Sequence, residues 1–245
     1  MGRNSLVFDD INTGDYGIYI SGEASFNAPA RVYDMREIPG RNGTLAVDMN
    51  RYENVEVVYP AFVFDYSMAS FSERMAEIRS VFLSKVSYQR LQDTYNPNEY
   101  RLAVYSGGFE IEPQHFNQTG EFELTFDCKP QRYLTSGETA TTFTASGNIT
   151  NPTKFASRPL IVVTGTGSVG VGNETITIAG TASQVSYIDC EMMECYKIQS
   201  GANVSINSDV TFSGTDFPTL PSDRSGVSLG SGITKVEITP RWFRL

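Results

Sequence analysis

Paired carboxylates are the first residues in this chain whose spacing could do chemistry. Glu110 and Glu112, Glu121 and Glu123, and Glu191 and Glu194 each bring two acids close together in sequence. A glycosidase needs two such acids converging across a cleft at a controlled separation. The first two pairs are i, i+2 neighbours, which stand side by side on one face of a strand, so a solvated strand face is the stronger reading. His115 is the single histidine, and any Ser-His-Asp or Cys-His arrangement must use it. It lies in Glu112-Pro113-Gln114-His115-Phe116, which reads as loop. One histidine also excludes metal sites built on several. Cys128, Cys190 and Cys195 cannot all pair and read as free thiols. Cys190 and Cys195 are five apart and face opposite ways if they share a strand. Gly165-Thr166-Gly167-Ser168-Val169-Gly170 matches the dinucleotide fingerprint, with Asp189 about 20 residues on as the ribose acid. That motif binds only where a helix opens at its glycines. The residues that follow, 171–178, read as a turn and then β alternation, so the glycines serve a β-turn. Trp242, the only tryptophan, and Tyr133 offer either a sugar-stacking platform or core anchors. These residues together point to no enzyme, no cofactor and no bound metal.

The elements that must position these side chains are mostly strands. Over residues 120–133, Phe122, Leu124, Phe126 and Cys128 alternate with Glu121, Glu123, Thr125 and Asp127, one face for a core and one for water. Pro130 should end that ladder, because it has no N–H to donate. Residues 135–153 are rich in Thr, Ser, Gly and Asn and nearly uncharged, which places a boundary between a domain of residues 1–135 and one of 136–245. Earlier, residues 5–11 read as one strand and 18–20 as the start of the next. Residues 30–38 are extended and run into Ile38-Pro39-Gly40-Arg41-Asn42-Gly43, a strong turn sequence flanked by Arg36 and Arg41. This tip is either a hairpin loop with solvated charges or a partner contact, since loops carry function. Arg36, Gly40, Arg41 and Gly43 are the candidate interface residues.

Residues 53–65 read as a strand in which Pro60 implies an edge or a bulge. Residues 70–86 form the one convincing helix, with Ser70 and Glu73 as a capping box and Phe71, Met75, Ile78, Phe82 and Val86 as the apolar stripe. Strands at 88–91 and 100–105 flank the turn Asn96-Pro97-Asn98. Beyond the boundary, short strands recur about every ten residues, at 160–163, 175–178, 185–191, 202–206, 210–212 and 235–238, which is the sandwich pattern. The fold expected is mainly β: an α+β first domain, antiparallel layer or barrel with one helix, and then a β-sandwich.

Bulk properties narrow the function classes. The 245 residues suffice for two domains that each bury a core. Net charge is −9, opposite in sign to a surface built to grip DNA, though suited to a wall past which DNA slides. No apolar run of about 18 residues or signal-like start is present, so the expectation is a protein made in the cytoplasm, with no membrane partner.

Several landmarks follow one another in a specific order. They are the 38–43 turn, the amphipathic helix, Phe122 to Pro130, Asn151-Pro152-Thr153, Ser157-Arg158-Pro159, Phe217-Pro218-Thr219-Leu220 and the closing Pro240-Arg241-Trp242-Phe243-Arg244-Leu245. This series resembles the distal tail protein (Dit) family of phages with long non-contractile tails, over nearly the whole chain. Two places depart from the family pattern. Pro221-Ser222-Asp223-Arg224 stands where a Pro-Gly-x-Asn turn is usual, and Arg241-Trp242-Phe243 where Arg-Trp-Trp is common. The resemblance implies a tail-tube-like N-terminal domain and a galectin-like β-sandwich. It implies a homohexameric ring at the virion tail tip, assembled in the bacterial cytoplasm, with DNA only in transit through its channel. Partners implied are the major tail tube protein, the tail-tip hub or tail-associated protein, and receptor-binding or other baseplate proteins. A carbohydrate-binding module that meets the host wall through the second domain is the alternative.

Overall fold

The computed structural model describes residues 3–22, 27–64, 68–108, 112–114 and 119–245, with the backbone alone at 64, 68–72, 112–114 and 119. The chain divides into two compact units, Met1–Arg132 together with Leu245, and Tyr133–Arg244.

The first unit contains β1 (Leu6–Phe8), β2 (Ile11–Asn12), β3 (Ile18–Ile20), β4 (Arg31–Glu37), β5 (Thr44–Tyr52), β6 (Val55–Phe64), α1 (Met68–Leu83), β7 (Gln89–Asp93), β8 (Glu99–Tyr105), β9 (Glu112–Gln114) and most of β10 (Thr119–Leu134). Its main sheet runs β2-β1-β7-β8-β10-β6-β3, with β9 also on β10. The pairing of β10 with β6 spans ten residue pairs, from Thr119↔Phe64 to Cys128↔Val55. The alternation read from sequence sets the inner face of β10: Phe122, Leu124, Phe126 and Cys128 are buried, and Glu121 and Glu123 are exposed. Phe126 is ringed by Phe8, Tyr59, Phe82 and Tyr105 at centroid distances of 5.1 to 6.1 Å. The helix closes this core with Met75, Ile78 and Phe82, all nearly inaccessible.

Four local expectations need correction. The helix stops at Leu83, so Val86 lies beyond it, 94 % exposed, and is no part of the stripe. The side chains of Ser70 and Phe71 lie outside the described residues, as do residues 109–111 and 115–118 with Glu110 and His115. The stretch 5–11 is two strands, because Asp9 and Asp10 both take left-handed φ (51° and 65°) and form a tight reversal. Pro130 does not end β10, which continues to Leu134. Pro60 marks neither an edge nor a bulge: β6 lies between β10 and β3, and its register with β10 is unbroken. On its other side β3 reaches only Ala61, so the missing N–H falls where that ladder has ended, and the Pro60 carbonyl accepts from Ser21 N–H at 2.8 Å.

The second unit is a two-sheet sandwich. Its strands are β11 (Thr141–Phe143), β12 (Gly147–Asn151), β13 (Leu160–Gly165), β14 (Gly167–Val171), β15 (Glu174–Ile178), β16 (Val185–Asp189), β17 (Glu194–Gln199), β18 (Ala202–Ser205), β19 (Val210–Phe212), β20 (Asp223–Leu229) and β21 (Ile233–Thr239), and β22 (Phe243–Arg244) follows outside both sheets. One sheet runs β11-β21-β13-β16-β17-β18, the other β12-β20-β14-β15-β19. Ile161, Ile188, Val236 and Ile238 from the first meet Val169, Ile176, Ile178 and Val227 from the second in one apolar core. The glycine motif lies on β13–β14 and not at a helix. A side chain on Gly165 would collide with the Gly232 carbonyl and one on Gly167 with the Ser231 carbonyl, so both serve a close backbone approach.

Candidate functional site

The feature that stands apart from both cores is the hairpin of β4 and β5, a two-stranded sheet of its own. Its tip obeys turn chemistry. Arg41 N–H donates to the Ile38 carbonyl at 3.1 Å across Pro39-Gly40, and Gly40 takes φ +78°, the left-handed value that the third residue of a type II turn requires. Gly43 takes φ +80° before β5 begins. The strands pair from Glu37↔Thr44 through Tyr33↔Asp48, then slip so that Val32 faces Arg51. Met49 and Asn50 thus have no partner in β4, and Asn50 adopts φ +54° to make the bulge.

Along this hairpin the alternation that builds a core fails. Cross-strand partners share a face, so Tyr33, Met35 and Ala46 lie on one side and Val47 and Leu45 on the other. Each face carries apolar groups and each meets solvent. Tyr33, Met35, Leu45 and Met49 are all about half exposed, at 58, 53, 48 and 52 %. Polar contacts stay within the hairpin: Arg31 grips Asp48, Nε to Oδ1 at 3.1 Å, and lies 5.7 Å from the Tyr52 ring centre. An isolated two-stranded hairpin is marginal in water, and exposed apolar area on both of its faces makes this hairpin the candidate contact surface.

The four residues singled out from sequence therefore sort into different roles. Gly40 and Gly43 shape the tip, and nothing lies within 4 Å of the space a side chain would take at either. Arg36 is tied to Asp34 on its own strand, Nε to Oδ2 at 2.9 Å. Arg41 is exposed, and no ion pair reaches it among the described residues. The apolar flanks, Tyr33, Met35, Leu45 and Met49, escaped the sequence reading. The available signal was the sequence RVYDMRE paired with TLAVDMNRY, which never assigns its apolar residues to a single face.

The candidates for chemistry are dispersed or structural. Glu121 and Glu123 stand exposed on β10. Asp189 is not available to a ribose: Arg241 holds it with two bonds, Nη1 to Oδ1 at 2.7 Å and Nη2 to Oδ2 at 2.9 Å. Burial alone would raise the Asp189 carboxyl, but these bonds and the N–H groups of Met192 and Glu191 outweigh it and hold the acid below its ordinary range. Glu191 accepts from Tyr133 Oη at 3.4 Å. Trp242 and Tyr133 are 5 and 7 % exposed, so the sugar-stacking platform considered for them does not exist; they are anchors. Cys190 and Cys195 do not share a strand, since Cys190 follows β16 and Cys195 lies on β17. All three thiols are free, buried and pushed up by that burial, Cys128 and Cys190 to about 12 and Cys195 to about 11. Among the described residues no three His, Cys, Asp or Glu side chains gather as a metal site, and no helix is long and apolar enough to cross a membrane.

Comparison with known proteins adds the context for the hairpin. Residues 11–128 match the family model described as phage tail protein RIFT-related domain. No curated protein sequence matches the chain. Among solved structures, the chain is similar to the Dit protein (gp 19.1) of phage SPP1, described as a paradigm of the hub adsorption apparatus in phages that infect Gram-positive bacteria. That similarity has a TM-score of 0.72 at 14 % identity and covers 100 % of both chains. Chains of the phage p2 baseplate, in its activated conformation with Sr and with Ca, are similar at TM-scores of 0.56 and 0.54 and 11 and 12 % identity. They cover 99 and 97 % of this chain and 98 % of each of those chains.

Proposed function

We infer that this chain, a phage tail protein with the fold of siphophage distal tail (Dit) proteins, closes with five further copies into a ring at the end of a long non-contractile tail. The observation that carries the reading is the β4–β5 arm: a hairpin outside the core, apolar on both faces, in a domain of a phage tail family. A head-to-tail contact in which one copy's arm lies on the next copy's sheet is heterologous, and such contacts close into rings when the rotation permits. In that ring Tyr33, Met35, Leu45 and Met49 lose their water, and Arg36, Gly40, Arg41 and Gly43 place the tip against the neighbour.

The ring joins the major tail tube protein on one side to the tail-tip hub on the other, with receptor-binding or other baseplate proteins around it. Its centre passes DNA without holding it. Six copies carry 6 × −9 = −54 charges, which repel a phosphate backbone wherever they line the bore. The first domain builds the ring, and the second, a galectin-like sandwich, docks partners. The role is structural, with no catalysis. Sedimentation velocity over a concentration series tests it: the full chain self-associates, and a chain with residues 31–52 replaced by a short Gly-Ser linker stays monomeric while keeping its folded spectrum. Equal association of the two would remove the arm from the account.

A further inference from the structure

The arm leaves its domain through residues 27–30, and at the first of them two guanidinium groups converge. Arg101 Nη2 donates to Asn27 Oδ1 at 2.9 Å. Arg132 Nη2 donates to the same oxygen at 3.1 Å and to the Asn27 carbonyl at 3.2 Å. In return Asn27 Nδ2 donates to the Glu56 carbonyl at 3.0 Å, on β6, the strand that follows the arm. One turn of chain further out, Glu53 N–H donates to the Ala30 carbonyl at 2.9 Å. Asn27 thus ties the entering limb of the arm to the departing limb, and both to β8 and β10.

The junction is an unusual place for two cations. Arg101 is 7 % exposed and has no carboxylate at ion-pair distance among the described residues. Its Nη1 is buried and meets no acceptor among them. Beside it a cavity of about 20 Å³, room for roughly one water, is bordered by Tyr59, Asp93, Asn96, Glu99 and Tyr100. The acids there serve other groups. Asp93 accepts from Tyr59 Oη at 2.8 Å and from Asn96 N–H at 2.8 Å, and Glu99 lies 4.0 Å from Arg132. Burial, followed by the charge of Arg132, lowers the Arg101 guanidinium from its usual range. A carboxylate between the two guanidinium groups would bond them more strongly but could not donate to the Glu56 carbonyl, which only the amide does. A neutral amide there gives a directional hold with a lower release cost.

We propose that Arg101 and Arg132 are positioning residues for the arm: with Asn27 they form a latch that sets the direction in which the hairpin leaves its domain. The proposal deepens the arm reading above and rests on it for its consequence in assembly. It is tested on the full chain with spin labels at Arg41→Cys, on the tip, and Glu73→Cys, on the exposed side of the helix; the native thiols are buried and stay unlabelled. Asn27→Asp keeps an acceptor for both guanidinium groups but sets a carboxylate oxygen against the Glu56 carbonyl where Nδ2 donated, so it releases the departing limb and should broaden the label-to-label distance distribution, with the occupancy of the latched state lowered about tenfold. Asn27→Ala and Arg101→Met should broaden it. If Arg101→Met fails to fold, the two Asn27 variants carry the test. An unchanged distribution in both of them overturns the latch whatever the assembly state. A distribution that responds while sedimentation does not move upholds the latch and instead removes the arm from assembly.

Discussion

The two domains treat their strands in opposite ways. In Tyr133–Arg244 most apolar residues of the two sheets turn inward, Val185, Ile198 and Val204 being exposed on β16, β17 and β18, and the closing segment is drawn in, Trp242 buried and Arg241 paired with Asp189. Its open-edge strand β18 is four residues long, short enough to offer little to a passing chain. In Met1–Arg132 a core of the same quality sits beside a 22-residue excursion, residues 31–52, that joins no core at all. The sandwich fills one core with residues from both of its sheets. The first domain is satisfied for its inner sheet and helix, while its arm leaves Tyr33, Met35, Leu45 and Met49 about half exposed, the surface proposed above for a neighbouring copy. Stability and assembly are therefore separable in this chain, and each prediction below tests that separation.

The largest effect belongs to the first core. Phe126→Ala removes the ring at which Phe8, Tyr59, Phe82 and Tyr105 meet and should cost about 3–5 kcal/mol in urea unfolding of the first domain, leaving the transition of the second in place. Arg241→Met leaves the Asp189 carboxylate buried without its partner and should cost the sandwich about 3 kcal/mol. The sign with pH follows from the lowered Asp189 carboxyl. Its contribution is complete above the ordinary carboxylate value near 4 and is lost as pH falls through the lower folded value, so Arg241→Met should flatten the acid limb of thermal melts. The thiols give a milder readout. Burial raises Cys128, Cys190 and Cys195 alike, so a thiol reagent at pH 8 should label none of them in folded protein, Cys128 with unfolding of the first domain, and Cys190 and Cys195 with unfolding of the second. Smallest in stability is the arm. Tyr33→Ser with Leu45→Ser should change the melting free energy by about 0.5 kcal/mol or less, because neither side chain is in a core. The same pair should abolish association, and that contrast separates the two domains most sharply.

Much of the architecture was legible before coordinates. The β10 alternation, the Met75-Ile78-Phe82 stripe and the Pro39-Gly40 turn are local patterns tied to local geometry, and each reappears as written. Pro60 and Pro130 misled because a missing N–H matters only on a side where a neighbouring strand continues, and sequence does not show where a neighbour stops. Strand β20 was missed since Ser, Gly, Asp and Arg dominate it, and only Val227 and its partner strands reveal its place. Of the site, the tip was visible because turns need particular residues, whereas the apolar flanks were not: exposure is a property of the fold, and Tyr33 and Leu45 look in sequence like any other strand residues. The Arg101–Asn27–Arg132 junction joins positions 74 and 105 residues apart and leaves no local trace.

Electron microscopy of the purified chain over rising concentration addresses the central claim most directly. The account predicts annular particles with six-fold symmetry and an open centre, and their loss in the Tyr33→Ser, Leu45→Ser variant. A chain that remains a single copy at every concentration, alone and beside tube and hub proteins, would contradict it.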